Sequence, residues 1–101
     1  MNIYRHGDVL LKEVTEIPKS AKKLKDKILA YGEATGHSHR FANPQDIERF
    51  SDGDRKFLLV CVDADLIHEE HKKIRVKKGK YEQIQEREYD YAEQNMRSVV
   101  D

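Results

Sequence analysis

Ser51-Asp52-Gly53-Asp54-Arg55-Lys56-Phe57-Leu58-Leu59-Val60-Cys61-Val62 sets a turn signal directly before an unbroken apolar run. Glycine supplies turn conformations without steric cost, and aspartate bonds its own backbone, so Asp52-Gly53-Asp54 marks a reversal of the chain. Residues 57–62 form a run too short for a helix and rich in β-formers, which predicts a central strand buried on both faces. Cys61 lies in that run and reads as a buried, inert thiol. It is the only cysteine, so an internal disulfide is excluded and a reducing compartment is expected.

Working outward, Asn43-Pro44-Gln45-Asp46 is turn chemistry, and Ile47 to Phe50 reads as a short strand joined to residues 57–62 through the Gly53 turn. Upstream, residues 8–14 follow His6-Gly7, are closed by Ile17-Pro18 and read as the first strand. Residues 19–27 carry five lysines around Leu24 and read as a solvated connection, while residues 27–31 form another strand ended by Gly32. Downstream, Asp63-Ala64-Asp65 interrupts the pattern before Leu66 and Ile67. Ile74 and Val76 then alternate with Lys73, Arg75 and Lys77. Lys77-Lys78-Gly79-Lys80 reads as a hairpin turn feeding a strand over residues 81–89. Residues 92–97 suit one or two helical turns, and Ser98-Val99-Val100 an edge strand. Short strands with turn signals about every ten residues predict a mainly β domain with little helix, a small antiparallel barrel or sandwich spanning residues 1–101.

Nineteen basic and nineteen acidic side chains cancel to a net charge of zero, so no global field draws the chain to nucleic acid or to a membrane. No signal-like segment opens the sequence, and the apolar runs fall far short of a membrane-spanning helix, so a cytoplasmic location is expected. Walker-type glycine loops, G-x-S-x-G and paired C-x-x-C are all missing from the sequence.

The histidines carry the chemistry. Four of five fall in two pairs, His37-Ser38-His39 and His68-Glu69-Glu70-His71. Imidazole is the commonest protein ligand for transition metals, so two pairs point to a site for a divalent ion such as zinc, iron, nickel or manganese. Strand alternation puts His37 and His39 on one face as co-ligands. His68 and His71 are three apart and face opposite ways on a regular strand, so both join only if the chain bulges at Glu69-Glu70. Glu69 could instead align with His71, and Glu69 and Glu88 are the candidate general bases, with Glu33 a further carboxylate. His6 is not counted as a ligand. Neither the H-x-H-x-D-H nor the H-E-x-x-H hydrolase pattern is present.

Gly32-Glu33-Ala34-Thr35-Gly36-His37-Ser38-His39, His68-Glu69-Glu70-His71, His6-Gly7-Asp8-Val9-Leu10-Leu11 and Met96-Arg97-Ser98-Val99-Val100-Asp101 resemble a family of small uncharacterised bacterial and phage proteins. That resemblance covers nearly the whole chain and implies no activity. The pair His37-Ser38-His39 with a later histidine also resembles the cupins, small β-barrels that hold a metal, although Asn43-Pro44-Gln45 stands where their glutamate would be. The function expected is metal binding by a small β protein acting on, or sensing, a small molecule. The alternative is a non-enzymatic, phage-related module that binds a protein or nucleic acid through Lys73, Arg75 and Lys77. Exposed strand edges would suit a homodimer.

Overall fold

A computed structural model describes residues 2–31 and 36–85. Among them are ten strands and one 3-10 turn: β1 (Ile3–His6), β2 (Val9–Val14), β3 (Lys22–Leu24), β4 (Ile28–Tyr31), β5 (Ser38–Phe41), the turn Pro44–Asp46, β6 (Ile47–Asp52), β7 (Arg55–Val60), β8 (Ala64–His68), β9 (His71–Val76) and β10 (Gly79–Gln85). They form two antiparallel sheets, ordered β1-β2-β10-β7-β6-β3 and β4-β5-β8-β9. The fold is mainly β, as the alternation of short strands and turns predicts, and of the two expected architectures it is the sandwich, because neither sheet closes on itself. No helix among the described residues is long and apolar enough to cross a membrane.

The apolar run that marks the fold becomes β7, flanked by β10 and β6 in the middle of the larger sheet. Phe57 and Leu58 are both buried although successive side chains point to opposite faces, so this strand is covered on both sides. One core cluster joins the sheets. Val9, Leu11, Ile47, Leu58, Val60 and Tyr81 come from the larger sheet, and Leu29, Phe41, Ala64, Leu66 and Val76 from the smaller. Burying each large aliphatic side chain contributes roughly 1.5–3 kcal/mol, enough to make this shared layer the main source of stability.

The strand ends sooner than the apolar run suggests. Cys61 is exposed rather than buried, and Val62 is 50% exposed. The chain leaves the ladder there to cross to the second sheet, and the Cys61 amide is taken by the Asp46 carbonyl at 2.9 Å. Asp63-Ala64-Asp65 is less of an interruption than its composition implies, since β8 already begins at Ala64.

Lys77 to Lys80 is not a hairpin. β9 is the edge of the smaller sheet, whereas β10 inserts between β2 and β7 of the larger one. The link is therefore a crossover, fastened where the Tyr81 hydroxyl donates to the Lys77 carbonyl at 2.6 Å and the Lys77 amide donates to the Tyr4 hydroxyl at 3.2 Å. The lysine-rich connection contains the short edge strand β3, paired with β6, and the first strand expected is preceded by β1, paired with β2. The expected continuation of β10 past Gln85, the C-terminal turns and the edge strand over residues 98–100 lie outside the described residues.

Candidate metal centre

The second histidine pair is neither a regular strand nor a bulge at Glu69-Glu70. Those two residues are the loop of a tight hairpin, and His68 and His71 are the cross-strand partners that close it. Directly opposed residues project to the same face, so both imidazoles point one way, with ring centres 4.6 Å apart. The ladder does shift register, but within β9: Leu66 pairs with Ile74 and His68 with His71, so Ile67 faces both Lys72 and Lys73.

β5 brings the third ring. It pairs with β8 through Arg40 and Ile67, and continuing that register by one residue sets His39 beside His68, with ring centres 4.4 Å apart. One ring nitrogen from each of His39, His68 and His71 lies within 4.8 Å of the others. A tetrahedral zinc with Zn–N bonds of 2.0–2.1 Å separates its nitrogen ligands by about 3.4 Å, so the three rings need to close by little more than an ångström.

His37 is placed elsewhere. It precedes β5, its Nδ1 is 3.1 Å from a Glu70 oxygen, and its ring centre is 5.9 Å from that of His68. The alternation argument for His37 and His39 does not hold because the strand begins only at Ser38. Glu69 is also engaged: one oxygen accepts from the Ser38 amide at 3.1 Å, and the Arg40 guanidinium reaches its oxygens at 3.2 and 2.9 Å. Arg40 first, then the backbone amides, hold this carboxyl down at about 2. It stays ionised at neutral pH and accepts a proton poorly. The two glutamates of the hairpin loop thus pin the start of β5 against β8. Glu88 and Glu33 lie outside the described residues.

The first hairpin supplies the rest of the site, which the sequence reading missed. Gly7-Asp8 is a two-residue loop closed by His6 and Val9. His6 is buried, with Nδ1 2.9 Å from His39 Nδ1 and Nε2 3.0 Å from the Lys72 carbonyl on the bulged part of β9. Gly7 has a φ of 64°, and a Cβ there would stand 2.7 Å from His71 Nε2 and 3.0 Å from His39 Cε1. The missing side chain is the space the rings occupy. Asp8 sets one oxygen 3.6 Å from His39 Nε2, and Gln85 donates to the other at 3.2 Å. The signal was available: Gly7-Asp8 repeats the dipeptide Gly53-Asp54 that marked the other hairpin.

Burial pushes His39 down to about 4, reinforced by the neighbouring His68 and His6, and burial also lowers His6 and His68. These rings are neutral at neutral pH, the form that ligates metal. The Glu70 amide donates to His68 Nδ1 at 3.0 Å. That contact keeps the His68 hydrogen on Nε2.

On β9, the basic face is partly neutralised within the chain. Asp65 is 3.1 Å from Arg75 and 3.9 Å from Lys73. Both cations are about two-thirds exposed, so these pairs add little stability but reduce the local positive field.

These features define a class: a two-sheet antiparallel β domain whose histidines gather where the edge strands β1 and β9 meet. The chain belongs to the family described as a domain of unknown function (DUF8820), whose model matches residues 5–86. His6, Gly7, Asp8, His39, His68 and His71 all fall within that span, and Glu88 does not. No curated protein and no solved structure matches the chain.

Proposed function

We propose that this protein binds one divalent transition metal through His39, His68 and His71 and uses an open coordination position to act on or sense a small molecule. The single observation that carries the reading is the convergence of three ring nitrogens within 4.8 Å from two adjoining hairpin strands and β5. Three nitrogen ligands leave a vacancy that a structural four-ligand site lacks. Neutral imidazoles favour zinc, iron or nickel, while manganese would draw more on carboxylate. Asp8 is the carboxylate already turned toward His39, and its second oxygen is held by Gln85 as ligating carboxylates commonly are.

The test is elemental analysis of protein purified without a histidine tag, together with thermal unfolding in added Zn²⁺, Ni²⁺ or Fe²⁺. At free metal one hundred times Kd, binding stabilises by about 2.7 kcal/mol, which for a domain of this size raises Tm by roughly 10–20 °C. His39→Gln should abolish that rise. Less than about a tenth of an equivalent of metal, with no gain in Tm, would overturn the reading.

A further inference from the structure

A peptide carbonyl only accepts hydrogen bonds, so His6 Nε2, 3.0 Å from the Lys72 oxygen, carries a hydrogen. In a neutral imidazole the other nitrogen then bears a lone pair. That nitrogen, Nδ1, lies 2.9 Å from His39 Nδ1, and a contact this short between ring nitrogens contains one hydrogen. It belongs to His39. The alternative, a doubly protonated His6, would bury a cation among three other imidazoles. With its hydrogen on Nδ1, His39 has a free lone pair on Nε2, the atom that faces Asp8. The 3.6 Å separation there is too long for the hydrogen bond a protonated Nε2 would make to that carboxylate.

We infer that His6 is a positioning residue that locks His39 in the Nδ1–H tautomer, making His39 Nε2 the anchor ligand that is ready before any metal arrives. The inference rests on the metal-binding reading for its purpose, but the tautomer itself is a property of the metal-free protein. His39 differs in this from His68, whose Nδ1 accepts the Glu70 amide and whose ring must turn or shift its hydrogen before its Nε2 can ligate. The relay also spans the sandwich. His6 stands on β1 of the larger sheet, while the Lys72 carbonyl and His39 belong to the smaller one, so the contact that sets the ligand also fixes the spacing of the two edges.

Two measurements test this. Long-range proton–nitrogen correlation spectra of the metal-free protein with ¹⁵N-labelled histidine should show His39 as Nδ1–H and His6 as Nε2–H. Finding the hydrogen on Nε2 of His39 would overturn the inference whether or not metal binds. The second compares two amide replacements, with Co²⁺ or Zn²⁺ affinity measured against a chromophoric chelator. His6→Asn places an acceptor where Nδ1 stood and should stay close to wild type. His6→Gln places its amide where Nε2 stood, keeps only the Lys72 bond and should weaken binding about 10- to 100-fold. Equal losses in both variants, following their loss of Tm, would reduce His6 to a packing role. A wild-type protein that binds neither ion would remove the metal reading and leave the spectra to decide the tautomer.

Discussion

Two hairpins in this protein share a loop. Gly7-Asp8 joins β1 to β2 and Gly53-Asp54 joins β6 to β7; each loop has two residues, and the glycines have φ of 64° and 62°. Their backbone demands are the same, and their surroundings are opposite. A Cβ on Gly53 would meet nothing within 4 Å, whereas one on Gly7 would press on His71 and His39. The comparison separates two reasons for a glycine, the turn itself and the space above it, and only the second belongs to the site.

The largest expected effect breaks the pair apart. Gly7→Ala and Gly53→Ala should each cost about 1–2 kcal/mol, the strain of a side chain in the left-handed region, read from urea unfolding. The exposed His71 can swing from a new methyl group but the buried His39 cannot, so Gly7→Ala should cost at least as much stability as Gly53→Ala, and it alone abolishes metal binding in a chelator competition. Equal metal affinity in both variants would show that the close approach at Gly7 is incidental. Next in size, Asp8→Asn should lower metal affinity by about tenfold, in the range set by groups around a metal, whereas Asp54→Asn should leave it unchanged.

The metal-free protein should also lose stability as the pH falls. His39 titrates at about 4 when folded, below its ordinary value of 6.5, so the unfolded chain binds more protons between these values. Its contribution is present above pH 6.5 and is lost progressively toward pH 4, with a slope approaching about 1 kcal/mol per pH unit. The lowered His6 and His68 act in the same direction. Thermal unfolding at pH 7.5, 6 and 5 checks this, and a flat profile would show that the buried rings are solvated. The smallest effect is expected at the other hairpin: Asp54→Asn should change stability by no more than about 0.5 kcal/mol.

The same pair shows what the sequence made legible. Asp52-Gly53-Asp54 was readable as a turn because apolar strand signals lie on both sides of it. Gly7-Asp8 was not, because Ile3-Tyr4-Arg5-His6 is short, half polar and without an apolar run, and β1 is held by its ladder to β2 rather than by its own composition. Missing β1 concealed His6 as well, since a histidine ahead of the first recognised strand has no face to be assigned to. The mainly β, antiparallel character followed from period and punctuation, whereas the choice of a two-sheet sandwich over a closed barrel did not. The assignment of β10 between β2 and β7 did not, because sheet membership depends on pairings across more than sixty residues of chain. His39, His68 and His71 were legible as ligand candidates from clustering alone. Their common face depended on a two-residue hairpin loop made of glutamates, which carry no turn signal. His37 stands outside that group for the converse reason, an alternation applied one residue before the strand begins.

The insertion of β10 has a further consequence, in the order of folding. β2 has β1 as a local partner, but its other edge waits for β10, where Val9 meets Gln85. Closing so long a loop delays the rewarding contacts, so the larger sheet should assemble slowly and late, with its hairpins formed beforehand as separate pieces. The histidine site inherits that delay. Its two hairpin loops form early as separate local pieces more than sixty residues apart along the chain, and the site exists only after the last long-range pairing has drawn the edges of the two sheets together.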